Sequence, residues 1–204
     1  MDQSVLSAVP EVFARREAPA RGLAEDADAV AHACHAMARR FHRGGRLIVF
    51  GNGEAATDAQ HIAVEFVHPV IVGKRALPSL SLTGDVATIT GVAAEIGFDD
   101  VFAHQIRHLA EAEDIALGVS AYGDCGNVLT ALETARDLGL LTVALVGGDG
   151  GRIARSAAVD HVLVARSGDP RVVKEVHVTT YHILWELVHV FFEQPGVLDP
   201  AVVT

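Results

Sequence analysis

The stretch Arg46-Leu47-Ile48-Val49-Phe50-Gly51-Asn52-Gly53-Glu54 decides the fold of this 204-residue chain. A short apolar run that meets Gly-Asn-Gly, followed by an alanine-rich segment over residues 55–66, predicts a buried parallel strand, a tight loop and a helix. In open α/β sheets, ligands bind outside the carboxyl ends of the strands, beside such glycine loops and the helix N-termini that follow them. We therefore expect the functional site beside Asn52 and Gly53.

The same alternation of apolar runs and helical patterns continues along the chain. Further strands are predicted at residues 76–82, 115–119, 141–146 and 161–165, and further helices at 87–94, 100–112, 127–138, 152–158 and 172–193. Strands that alternate with helices predict an α/β domain whose mainly parallel sheet is covered by helices on both faces.

Two helices are predicted ahead of the first strand. Apolar residues at helical spacing indicate one at residues 2–16, in which Pro10 is expected to cause a kink or to mark the first turn. A second amphipathic pattern covers residues 25–42. The chain is predicted to form one domain, with an N-terminal helical hairpin in residues 1–45 and the α/β core and C-terminal helix in residues 46–204. These helices leave much apolar surface, so we expect an oligomer.

Composition and charge narrow the class of protein. The formal net charge of −10 argues against a nucleic-acid surface, which needs clustered Lys and Arg. No apolar run approaches the roughly 20 residues of a membrane span. Cys34 and Cys125 lack metal-type spacing, and the chain does not begin with a signal-peptide pattern. These features favour a reduced, cytoplasmic protein that binds neither nucleic acid nor membranes.

One helix carries a candidate pair for proton transfer or metal binding. His61 and Glu65 stand four residues apart, so both lie on one helix face. The alternative is a solvated helix face with an incidental salt link.

Short motifs follow one another along the chain: Gly51-Asn52-Gly53, Asp58-Ala59-Gln60-His61, Glu65, Gly97-Phe98-Asp99-Asp100-Val101-Phe102, Gly150-Gly151, Glu175-Val176-His177 and His182-Ile183-Leu184. Their order and spacing resemble the SIS (sugar isomerase) family, specifically its phosphoheptose isomerase branch. The resemblance implies a SIS-type three-layer sandwich and a homotetramer with sites between subunits.

The resemblance also implies an activity and its residues. It implies an aldose-ketose isomerase, similar to sedoheptulose-7-phosphate isomerase, that acts on a sugar or sugar phosphate through an enediol. Glu65 would move the proton and His182 would assist it, with no organic cofactor. Some relatives hold zinc with residues matching His61, Glu65 and His182 plus a glutamine. The positions that match substrate-binding residues are Asn52, Gly53, Ala55, Ser120, Ala121, Tyr122, Asp124, Cys125, Asp169 and Lys174.

The expected zinc ligand set is incomplete, because Lys174 stands where the family has glutamine. A lysine ammonium has three donors and no lone pair, so it repels a metal ion. Either zinc is absent and Lys174 polarises the substrate carbonyl, or Lys174 turns away and three ligands remain with one open position.

The phosphate-binding loops differ more strongly from the family pattern. Where the family has serine and threonine hydroxyls, this chain has Ala55 and the segment Ser120-Ala121-Tyr122-Gly123-Asp124-Cys125. The Asp124 carboxylate would oppose a phosphate, or would cap the helix that follows. Asp169 matches a substrate-contacting acid or forms an ordinary turn. The changes indicate a substrate with a different or absent phosphate.

A non-catalytic SIS protein that acts as an oligomeric scaffold or regulator is the competing interpretation. The loss of the phosphate-binding hydroxyls favours it, whereas the retention of His61, Glu65 and His182 speaks against it.

Overall fold

The computed structural model describes residues 3–69, 71–194 and 196–198. The helices are α1 (Gln3–Glu25), α2 (Ala27–His42), α3 (Glu54–Val67), α4 (Val86–Glu95), α5 (Val101–Leu109), α6 (Gly126–Asp137), α7 (Gly151–Arg155) and α8 (Pro170–Glu193), with a 3₁₀ turn at Phe98–Asp100. The strands are β1 (Leu47–Gly51), β2 (Ser79–Ser81), β3 (Ile115–Ser120), β4 (Leu141–Gly147) and β5 (His161–Ala165). Among these helices, none combines the length and apolar character that a bilayer crossing requires.

The strands form one parallel sheet in the order β2-β1-β3-β4-β5. Because β1 lies between β2 and β3, the connection from β1 and the connections after β3 leave on opposite faces of the sheet. The strand order therefore reverses between β1 and β3, and in open α/β sheets this is where ligands bind, at the carboxyl ends of the strands. The predicted parallel α/β sheet is confirmed.

Alternate residues of the central strands pack into two apolar layers. Leu47 and Val49 of β1 belong to the layer covered by α2, α3 and α8. Ile48 and Phe50 belong to the opposite layer, covered by α4, α5 and α6. All of these side chains are buried, since a strand covered on both faces exposes neither. Helices, sheet and helices thus form the three layers that the sequence predicted.

The N-terminal helix is longer than predicted. The structure shows α1 as one helix that includes Pro10 and Pro19, where the sequence predicted a helix ending near residue 16. Each proline removes one backbone donor, but tertiary contacts hold the helix in place. The Arg16 guanidinium donates two hydrogen bonds of 2.7 Å to the Glu175 carboxylate of α8.

The edge strand β2 is shorter than the predicted run of residues 76–82. The Leu77 N–H donates to the Phe66 carbonyl of α3 instead of to a strand, and Pro78 has no N–H to donate. α5 and α7 are likewise shorter than predicted.

Candidate active site

The loop after β1 is joined to the loop after β3 where the strand order reverses. The side-chain amides of Asn52 and Asn127 exchange two hydrogen bonds, of 2.7 and 2.9 Å. Gly53, which precedes α3, has a φ of +56°, a conformation that favours glycine. Asn52 therefore serves as a structural link at the position where the sequence predicted substrate binding, and Gly53 gives the loop its turn.

The loop after β3 directs its one serine hydroxyl inward. The Ser120 hydroxyl donates to the Cys125 sulfur at 3.3 Å and accepts the Gly123 N–H at 3.0 Å, and Ser120 is buried. Ala55 is buried at the start of α3, whereas Tyr122 is exposed. The neighbouring Ala121 is half-buried. The hydroxyl of Ser120 thus makes two hydrogen bonds within its own loop.

Asp124 does not cap α6, and that alternative was wrong. Its carboxylate accepts the backbone N–H of Arg152 at 2.9 Å, while the Arg152 guanidinium donates to the Asp124 carbonyl at 2.6 Å. The path of the loop explains this contact. Gly123, with a φ of +71°, lies so close to Gly150 that a Cβ on Gly123 would be 2.0 Å from the Gly150 carbonyl oxygen. The negative charge of Asp124 is therefore opposed by Arg152.

Asp169 caps the N-terminus of α8. Its carboxylate accepts the Arg171 backbone N–H and two side-chain hydrogen bonds from Arg171, all at 3.0 Å. The side-chain hydrogen bonds from Arg171 lower the pKa of Asp169. Asp169 is therefore the N-cap residue of α8, and its carboxylate is bound to Arg171.

His61, Glu65 and His182 meet between α3 and α8. Glu65 Oε1 lies 3.0 Å from His182 Nε2 and 3.4 Å from His61 Nε2. Side-chain exposure is 13% for Glu65 and nearly half for each histidine, 47% and 45%. A shielded carboxylate between two accessible imidazoles is suited to proton transfer. One ligand atom from each of the three residues lies within 4.8 Å of the other two, which is close enough for the three to share a metal ion.

A groove of about 480 Å³ opens beside this cluster. Its lining residues are Glu65, Ile71, Lys74, His182, Trp185, Glu186 and Val190. The groove gives a small polar molecule access to the Glu65 carboxylate and the His182 ring.

Two aromatic residues of α8 hold the cluster, and the sequence analysis missed both. The Trp185 indole N–H donates to the Glu65 backbone carbonyl at 3.0 Å, and the Tyr181 hydroxyl lies 2.8 Å from His61 Nδ1. The available signal was the presence of two polar-tipped aromatics, four residues apart, beside the candidate His182.

Lys174 lies away from the cluster and is fully engaged at the start of α3. Its ammonium donates to the Asp58 carboxylate at 2.6 Å, to the Glu54 carbonyl at 3.1 Å and to the Thr57 hydroxyl at 3.3 Å. Asp58 is buried, so this ion pair is largely shielded from water. Of the two hypotheses for Lys174, these contacts favour the one in which three ligands remain.

His177 is a buried imidazole on the same helix. It is 3% exposed, and its Nε2 has no hydrogen-bond partner among the residues that the structure describes. Burial lowers the pKa of His177 below its ordinary value of 6.5, although a hydrogen bond with the Val146 backbone works in the opposite direction. The folded protein therefore keeps this ring neutral at a pH where the unfolded chain would protonate it.

This difference predicts a pH-dependent stability. Below about pH 6.5 the unfolded chain binds a proton that folded His177 does not, so the free energy of unfolding falls by at most about 1.4 kcal/mol per pH unit. The loss stops below the folded-state pKa. His177→Gln is expected to flatten this dependence in urea unfolding measured from pH 7.5 to pH 5. The half-buried His161, unchanged in both proteins, cancels in the comparison, and equal slopes would contradict the prediction.

The fold and site together define a class: a doubly wound parallel α/β protein with a carboxylate and two imidazoles between α3 and α8. The SIS domain profile matches residues 15–147. The chain belongs to the SIS domain family, in its phosphoheptose isomerase branch.

Sequence and structure comparisons agree on this placement. The phosphoheptose isomerase of Desulfovibrio desulfuricans is 42% identical over 161 residues, which is 78% of this chain and 75% of that protein. That of Solidesulfovibrio magneticus is 39% identical over 197 residues, 96% of this chain and 94% of that protein. A phosphoheptose isomerase structure from Francisella tularensis has a TM-score of 0.84 at 31% identity, covering 91% of this chain and 98% of its own. One from Neisseria gonorrhoeae has a TM-score of 0.82 at 27% identity, covering 90% and 98%.

Proposed function

We propose that this chain is an aldose-ketose isomerase that acts on a sugar phosphate, the activity that the names of its relatives describe. The observation that carries the proposal is the contact between Glu65 Oε1 and His182 Nε2 at 3.0 Å, beside an open groove. This contact places a carboxylate that can accept a proton next to an imidazole that can donate one, with the groove open to both.

The chemistry follows from these two groups. Glu65 takes the proton from the hydroxyl-bearing carbon beside the carbonyl, while His182 donates a proton to the carbonyl oxygen, which gives an enediol. His182 then takes the proton of the other enediol oxygen, and Glu65 returns its proton to the former carbonyl carbon. One proton has moved between the two carbons and one between the two oxygens, so the aldose becomes a ketose without any oxidant.

Isotope exchange tests this activity directly. The purified protein is incubated in deuterated water with sedoheptulose 7-phosphate and, separately, with unphosphorylated sedoheptulose, and proton NMR follows the hydrogen beside the carbonyl. Deuterium incorporation is the expected result with the phosphorylated sugar. No exchange with either sugar would contradict the proposal.

The comparison of the two sugars also addresses phosphate binding. Ser120 directs its hydroxyl into its own loop, so a phosphate at this loop would rely on backbone N–H groups near the start of α6. The phosphate is therefore expected to contribute less to binding than the family pattern of hydroxyls implies.

The scaffold alternative finds less support. A scaffold requires neither a shielded carboxylate nor two imidazoles aimed at it, and relatives that match nearly the whole chain are named as isomerases.

We further propose that His61, Glu65 and His182 bind zinc. Two imidazoles and a carboxylate form a donor set that catalytic zinc sites use, with one position left open for substrate. Lys174 does not oppose this set, because its ammonium is bound to Asp58. When bound there, zinc would polarise the substrate carbonyl oxygen in place of the His182 proton, because a coordinated imidazole nitrogen has no proton to donate.

Metal analysis tests the zinc proposal. Protein purified without chelator is expected to contain about one zinc per chain, and His61→Ala is expected to lose most of it, since three ligands are the minimum for such a site. His108→Ala, which removes an exposed histidine from α5, is the matched control. Zinc content near zero in the wild-type protein, or equal content in both variants, would contradict the proposal.

We also expect the chain to form a homotetramer and to lie in the cytoplasm. The support for the oligomer is the apolar surface of α1, where Val9, Val12 and Phe13 are 45%, 39% and 67% exposed. Light scattering is expected to give about four times the chain mass of 21.5 kDa. A monomeric mass would contradict the tetramer, and recovery of the protein with the membrane fraction would contradict the location.

A further inference from the structure

The Tyr181 hydroxyl contacts the ring nitrogen of His61 that faces away from Glu65. Tyr181 is 1% exposed, and its oxygen lies 2.8 Å from His61 Nδ1. Its ring also packs edge-on against both His61 and His182, with ring centroids 5.4 and 4.8 Å apart. A buried phenol hydroxyl needs a hydrogen-bond partner, and here that partner is the His61 ring of the candidate site.

The contact on Nδ1 controls what Nε2 can do. A neutral imidazole has one N–H and one lone pair, so the hydrogen bond at one nitrogen decides the state of the other. When the Tyr181 hydroxyl donates to Nδ1, the hydrogen of His61 lies on Nε2 and points at the Glu65 carboxylate, 3.4 Å away. When Nδ1–H donates to the Tyr181 oxygen, the Nε2 lone pair is free for a cation. The ring orientation is the same in both cases.

We infer that Tyr181 is a positioning residue, whose hydroxyl holds the His61 imidazole with Nε2 toward Glu65. This inference rests on the proposed function of the same site. The contact joins α8 to α3, the same helices that carry His182 and Glu65. Without it, the exposed His61 ring can rotate and exchange its proton between nitrogens, because its side chain is nearly half exposed.

Tyr181→Phe tests the inference, because it removes the hydroxyl and keeps the ring. ¹⁵N NMR of the histidine side chains, with the His61 signals assigned from a His61→Gln sample, is expected to show shifted His61 ring-nitrogen signals in Tyr181→Phe, because Nδ1 loses its hydrogen-bond partner. The expected kinetic effect is a fall in kcat of about 10- to 100-fold with little change in KM, the size typical of residues that orient a site histidine from behind.

Thr180→Val is the matched control. It removes a buried hydroxyl from the adjacent position of α8, where that hydroxyl bonds the Val176 carbonyl within the helix. This variant is expected to keep the His61 nitrogen signals and kcat. The nitrogen spectrum needs no substrate, so it decides the role of Tyr181 even if the wild-type protein shows no isomerase activity. An unchanged His61 spectrum in Tyr181→Phe, or an unchanged kcat in an active protein, would overturn the inference.

Discussion

Replacing Glu65 with glutamine is expected to lower kcat by about 10²- to 10⁴-fold, the range found when a general base is removed. The amide has the size of the carboxylate but does not accept a proton at neutral pH. The Trp185 hydrogen bond to the Glu65 backbone carbonyl is retained, so the two helices stay joined. The measurement is the rate of deuterium incorporation from the solvent, because it reports the proton transfer itself.

Glu133→Gln makes the same change of charge on an exposed carboxylate of α6 and is expected to keep wild-type activity. Thermal unfolding of both variants separates a chemical loss from a loss of folded protein. If Glu65→Gln retained a rate close to that of the wild type while folded, another group would have to move the proton, and the mechanism proposed for Glu65 and His182 would fail.

The fold could be predicted from the sequence because its signals are local. The apolar run at Leu47 to Phe50, followed by glycine and then alanine, defines strand, loop and helix over a dozen residues. The errors lie where long-range contacts outweigh local preference. Pro10 predicts a kink or a first turn in a helix that ends near residue 16, yet α1 begins at Gln3 and continues to Glu25, with Arg16 bonded to Glu175 far along the chain.

The site residues likewise include some that local patterns predict and others that depend on long-range contacts. His61 and Glu65 could be paired from their spacing on one helix, whereas His182 entered only through the family resemblance, because no local pattern connects it to α3. The direction of a long side chain cannot be read from spacing at all. Lys174 and Asp58 meet from 116 residues apart, a contact that no local pattern in the sequence predicts.

The ion pair between Lys174 and Asp58 gives the largest expected effect on stability. Lys174→Met leaves the carboxylate of Asp58, whose side chain is 5% exposed, without a cation. An uncompensated buried charge is costly, and we expect the free energy of unfolding to fall by about 3 kcal/mol. Because Lys174 also bonds the Glu54 carbonyl, the first turn of α3 is expected to loosen ahead of His61. Urea unfolding gives the stability, and hydrogen exchange at residues 54–58 reports the loosening.

The double variant Asp58→Asn with Lys174→Met tests whether charge is the cause. With the carboxylate neutralised, most of the loss is expected to be recovered, because removal of both charges of a buried pair is often close to neutral. Lys174→Gln is the intermediate case: its amide can still donate to Asp58, but it carries no charge, so its loss is expected to be smaller than that of Lys174→Met. If the double variant were as unstable as Lys174→Met, packing of the lysine stem and not its charge would hold α8 to α3.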